Sequence, residues 1–417
     1  MMPPGDHIPA KAAIIPYYIT AAAGLVLVSV LCLNAANDFP GHYFQPKILA
    51  IIHLAVFGWA SMVIFGASNQ LIPVIAEARL FSEKVPVLVL GLMVAGLAML
   101  IPSFWLFTFN TLSYTGAFLL LLAIILHAIN LFRTGKRGKN NIIMDFVMTA
   151  HVWLILTAVI GCTLLLNLQF AFLSEDHLHY LKIHAMVGIG GWFLQLVTGI
   201  SARLIPMFLL SRHENTKWLN VTYYCFNVAL ICFLLEGMIA KSTWGQPLYL
   251  TLFIAGLVFY ADYIRRCYGS AMRKQMDHGM KQTFLALFLL SIPFVLLTTI
   301  LTLNGNVSPN TISAFGFSFF GGFITVIIMG QTFKTLPFIV WMHKTRPDKL
   351  PDIMPKDLLN EHWVKWQMYL YLPGFLLFLS GFLLRQTILI YGGGSLMSVA
   401  SAWYFTHVLI IVNKLRR

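Results

Sequence analysis

The stretch Gly191-Trp192-Phe193-Leu194-Gln195-Leu196-Val197-Thr198-Gly199-Ile200-Ser201-Ala202-Arg203-Leu204-Ile205-Pro206 decides how this chain folds, because its landmarks occur twice more. The pattern is a glycine-aromatic pair, a glycine eight residues after the first, and a proline seven after that. The other copies are Gly58-Trp59…Gly66…Pro73 and Gly322-Phe323…Gly330…Pro337. The residues before each proline also agree: Leu71-Ile72, Leu204-Ile205 and Thr335-Leu336. The copies start 133 and 131 residues apart, which divides the 417 residues into three near-equal parts. Self-similarity at a fixed period marks internal repeats.

Composition says where such repeats can live. The chain is 59% hydrophobic and 10% charged, with a mean hydropathy of +0.78. A soluble domain carries about 25% charged residues, so this much apolar surface belongs in a bilayer. Runs of roughly 20 apolar residues are candidate spanning helices. Twelve are read here: 12–34, 46–75, 85–101, 104–132, 142–168, 180–210, 218–240, 246–264, 282–303, 312–342, 366–384 and 388–413. The expected fold is all-α: a polytopic membrane bundle of twelve spans with three-fold pseudosymmetry. It forms one transmembrane domain over 1–417, with four-helix repeats at about 1–140, 141–275 and 276–417. The marked helices are then the second, sixth and tenth.

The net charge of +13 is not a nucleic-acid footprint. Lys and Arg cluster in alternate loops (Arg133 to Lys139, Arg212 to Lys217, Arg265 to Lys281, Lys344 to Lys356, Lys414 to Arg417), and the loops between are nearly free of them. The positive-inside rule then places both termini in the cytoplasm. The partner that composition implies is the lipid bilayer. The five cysteines, Cys32, Cys162, Cys225, Cys232 and Cys267, have no metal or disulfide spacing and read as packing residues. Met1 to Lys11 lacks a basic leader region, so the first span reads as an anchor.

On a helix, eight and fifteen residues return to within about 80° and 60° of the start. The two glycines and the proline thus share one stripe, where a neighbouring helix or a flat ligand can approach the backbone. Three residues before each proline stands Gln70, Arg203 or Lys334. Each lies near a span end, so snorkelling to the interface accounts for them.

Thirteen histidines exceed what packing requires. His53 and His184 each precede a Gly-aromatic pair in the outer third of a marked helix. Imidazoles at matching depth can ligate one metal or a heme iron; the plainer reading is a hydrogen bond to a nearby carbonyl. His53 lies twenty residues before its proline and His184 twenty-two, a rotation of about 200° that a π-bulge would correct. His151, mid-membrane on the fifth span, is a third candidate ligand. His177-Leu178-His179, beside Glu175 and Asp176, reads either as a copper site with His184 or as a solvated helix start. His127, His343 and His407 fall toward cytoplasmic ends, where water or headgroups would satisfy them. The tenth span carries Phe315 and Phe317 at the corresponding places.

Three segments carry a family resemblance: His53…Gly58-Trp59…Leu71-Ile72-Pro73, His184…Gly191-Trp192…Arg203-Leu204-Ile205-Pro206-Met207-Phe208, and Lys334-Thr335-Leu336-Pro337-Phe338-Ile339-Val340-Trp341-Met342-His343. With twelve spans in three repeats, the chain resembles subunit I of heme-copper oxidases. It is most similar to the C-family oxidase, nitric oxide reductase and nitric-oxide-response branch. The resemblance implies a heme at His53 and copper at His184. It also implies an electron donor (cytochrome c or quinol), other respiratory subunits and a bacterial inner membrane. If the chain is an enzyme, it is then a cytochrome c oxidase or nitric oxide reductase. Two departures stand against that chemistry. The seventh span, Trp218 to Ala240, has no histidine, and the tenth has none before His343, so the dinuclear centre is incomplete. The competing readings are a sensor or assembly protein on the same scaffold, and a transporter whose path uses Arg203, Lys334, Glu236 and Asp262. Glu236 is also a candidate proton-path residue.

Overall fold

The computed structural model describes residues 9–240, 242, 244–303, 307–344 and 354–415. Most of the basic loop between Lys344 and Lys356, the first eight residues and the last two lie outside them. The described residues form twelve helices long and apolar enough to cross a membrane, and no named strand. They are α1 (Lys11–Asn34), α2 (Pro46–Ala76), α3 (Lys84–Trp105), α4 (Thr111–Gly135), α5 (Ile142–Phe170), α6 (His177–Leu209), α7 (Lys217–Ala240), α8 (Gln246–Gly269), α9 (His278–Thr302), α10 (Pro309–Lys344), α11 (Glu361–Leu384) and α12 (Thr387–Asn413). The marked helices α2, α6 and α10 are also the longest and most buried.

One boundary moves. The expected break at Pro102-Ser103 is not there, because Pro102 sits inside α3. The chain turns at Phe107, whose φ is +52°, while the Thr108 amide donates back to the Ser103 carbonyl at 2.9 Å. Asn110 then caps α4 through its side chain.

The contacts divide the chain into two compact units: residues 1–71, 82–108 and 277–417, and residues 72–81 and 109–276. In the first, α1 packs on α2 and α12, α9 on α10, and α11 on α12. In the second, α5 packs on α4 and α6, and α7 on α8.

The repeated sequence pattern corresponds to a repeated departure from α geometry. Each marked helix changes to π-helix for seven residues: Leu54–Ala60 in α2, Gly188–Leu194 in α6 and Ser318–Ile324 in α10. Every segment encloses its Gly-aromatic pair. A π turn is rare and collects at functional sites. The sequence expectation needed a bulge in one helix to align His53 with His184; all three helices have one.

The second glycine of each copy is a contact point. A Cβ on Gly66 would lie 2.5 Å from the Tyr17 Cβ on α1, and one on Gly199 would lie 2.5 Å from the Phe146 Cβ on α5. On Gly330 it would lie 2.8 Å from the Gly279 carbonyl on α9. What the glycines admit is therefore a neighbouring helix, not a flat ligand. Pro73 and Pro206 set the ends of their helices alike. The residue four after each, Glu77 or Leu210, is left-handed, with φ of 54° and 50°. The next amide bonds back to the proline carbonyl, at 3.0 and 2.9 Å.

Candidate functional site

In the first unit, His53 is the last residue of α2 before its π segment. Its Nδ1–H donates to the Leu49 carbonyl at 2.7 Å, and its half-buried ring tilts against Phe104 of α3 at 4.7 Å. A carbonyl can only accept, so Nδ1 carries the proton and Nε2 the lone pair.

His184 in the second unit reaches the same tautomer by another route. Its Nδ1–H donates to the Thr157 carbonyl on the neighbouring helix α5 at 2.9 Å. Gly161, one turn further along α5, makes room for the ring: a Cβ there would lie 2.8 Å from the His184 Cε1. His151 is fully buried and donates from Nδ1 to the Val147 carbonyl at 2.7 Å. Its Nε2 is buried without a hydrogen-bond partner. The Trp192 ring stands edge-on at 5.0 Å, and the His127 ring of α4 lies at 5.4 Å.

The other histidines are committed differently. His177 opens α6 and meets the Asn167 amide at 3.3 Å, while His179 donates from Nε2 to the Gly237 carbonyl at 2.8 Å. Among the described residues no three His, Cys, Asp or Glu side chains gather in metal-ligand geometry, so His177, His179 and His184 are not brought together as a copper cage. In the first unit both nitrogens of His343 face carbonyls, Ile339 at 2.8 Å and Pro9 at 3.0 Å.

Two expectations are corrected. His127 and His407 do not reach water or headgroups: they are 1% and 2% exposed. His407 packs between Phe333 and Trp363. Helix rotation, which single-span hydropathy does not report, turns both inward. Nor do Gln70 and Lys334 snorkel. Gln70 is buried, and Lys334 forms an ion pair with Asp277, the residue that caps α9. Arg203 is exposed.

The acids proposed for a path are held in local structure. Glu236 accepts from the Ser242 hydroxyl at 2.5 Å and the Gly245 amide at 2.9 Å, closing the turn after α7. Asp262 accepts from Arg265 at 3.0 Å and Arg266 at 2.6 Å along α8.

Sequence reasoning missed the polar network of the second unit. Asn227 on α7 accepts from Trp153 Nε1 at 2.9 Å and Gln195 Nε2 at 3.4 Å, which ties α7 to α5 and α6, the helices of His151 and His184. Its signal was Gln195, a buried amide inside a marked helix. No family model matches this chain, and no curated protein matches it.

Proposed function

We propose that this chain is a heme-binding integral membrane protein on the scaffold of heme-copper oxidase subunit I, with His53 in the first unit and His184 in the second each able to ligate iron, and with both termini in the cytoplasm. One observation carries the reading. Both rings spend Nδ1 on a main-chain carbonyl, which fixes the tautomer that presents Nε2. Ligating histidines almost always donate their other ring N–H in this way, and the bond orients the ring and raises its basicity. Phe104 and Gly161 add the shape that holds each ring in place. His151 has the same tautomer but is not required by this reading.

A heme bound here supplies a one-electron centre, or a metal that coordinates oxygen or nitric oxide. Its electrons come from cytochrome c or quinol. The residues favour electron transfer or nitric-oxide response over a dinuclear reducing centre. No histidine lies between Trp218 and Ala240, and Phe317 holds the place in α10 that His53 holds in α2. Transport is less favoured, because Glu236 and Asp262 are bound into a turn and a helix surface.

The test is an absorption spectrum with metal analysis on the purified protein. A Soret band and bound iron are expected, with the band lost or shifted in His53→Ala and His184→Ala. A colourless, iron-free preparation from heme-replete cells removes the proposal.

A further inference from the structure

His127 and His151 form a second imidazole pair, within the second unit, that the heme reading does not need. Both rings are buried, at 1% and 0% exposure, with centroids 5.4 Å apart and planes at 40°. The Val147 carbonyl takes the Nδ1 proton of His151, which leaves the lone pair on Nε2, and that atom has no hydrogen-bond partner. A buried acceptor left unsatisfied is destabilising, because it has given up its hydrogen bond to water. An apolar residue at position 151 would avoid that cost, so a histidine there points to an occupant for its lone pair.

Size and charge narrow the occupant. With metal–nitrogen bonds of about 2 Å, two imidazoles on one ion have centroids up to roughly 6 Å apart. The observed 5.4 Å fits one ion held at a bent angle. Among the described residues no third His, Cys, Asp or Glu joins the pair. A divalent ion would sit in this apolar place uncompensated, and desolvation penalises charge steeply. A soft monovalent ion costs least, and the Trp192 ring, T-shaped to His151 at 5.0 Å, keeps the surroundings apolar. Imidazole is a good copper ligand.

We propose that His127 and His151 bind one monovalent copper ion between α4 and α5, through Nε2 of His151. The test uses the full chain in detergent, titrated anaerobically with Cu(I) against a chromophoric Cu(I) chelator, and with Ag(I) as a redox-inert probe. One equivalent should be retained, with nitrogen scatterers at about 2 Å in X-ray absorption. His151→Ala should weaken binding by roughly a hundredfold or more. His127→Phe keeps the ring volume, serves where the alanine variant does not fold, and should weaken binding likewise. No retained ion in the wild type, or unchanged affinity in monodisperse His151→Ala or His127→Phe, overturns the proposal. The heme reading stands or falls separately: copper without a Soret band removes that reading alone, and a Soret band without copper removes this one alone.

Discussion

Within the first unit, α2 and α10 use one backbone device and give it opposite chemistry. Each turns π for seven residues around its Gly-aromatic pair. The residue immediately before the π segment is His53 in α2 and Phe317 in α10. His53 is oriented by a carbonyl and one ring. Phe317 stacks on Phe375 and Phe378, the latter at 4.5 Å, and is tilted against Phe382. The π turn is thus architecture, and its chemistry is set by the side chain placed at its mouth. In α6 the imidazole sits further upstream, at His184, and borrows its carbonyl from α5. The three copies share the π segment and differ in the side chain that precedes it.

The sharpest way to break this comparison is to make α2 like α10. If the proposed heme is held by His53, His53→Phe should abolish the Soret band while leaving a monodisperse, folded protein. Phe317→Ala should leave the absorbance unchanged and lower thermal stability. A Soret band that survives His53→Phe would show that the residue before the π segment of α2 does not hold the heme.

The next effect concerns the shared frame. Gly66→Val forces side-chain atoms into Tyr17, whose Cβ already lies 2.5 Å from a Cβ built at Gly66. Overpacking of this kind costs on the order of 3 kcal/mol, read as a fall in the melting temperature in detergent. Gly91→Val meets open space in the same unit and should be close to neutral. Equal losses in the two variants would mean that the glycine contact does not define the α1–α2 register.

The smallest effect lies at the end of α2, outside the spans. The Lys139 ammonium, 2.8 Å from the Glu77 carboxylate, holds that carboxyl below its ordinary value, chiefly through their hydrogen bond. A lowered pKa in the folded state gives stability that is present above the ordinary carboxylate range. That stability is lost as pH falls through the lowered value. Lys139→Ala should therefore lower the melting temperature slightly near neutral pH, and the gap should close as pH falls through and below the ordinary carboxylate range. Both groups are solvent-exposed, so water screens the pair and the effect on stability is small. The matching end of α6 has Leu210 in place of Glu77 and offers no such titration.

Much of this was legible beforehand. The twelve spans follow from apolar run length, and the three marked helices from glycine and proline spacing. His53, His151 and His184 were singled out by depth and position. The structure gave each a specific tautomer. Other features left no local trace. A π turn carries no distinct residue code, because it persists only where tertiary packing supports the extra residue. The Lys334–Asp277 ion pair joins positions 57 residues apart in sequence. His127 looked like an interfacial histidine because hydropathy reports depth along a helix and not rotation about its axis.

Sequence alone determined that this is a multi-span helical protein with a pattern written three times, since run length and residue spacing are one-dimensional properties. Tertiary structure alone decided which faces turn inward, which ring nitrogens keep their lone pairs, and that the glycines receive neighbouring helices. Those outcomes depend on side chains from other helices arriving within a few ångströms, and no single segment encodes its neighbours.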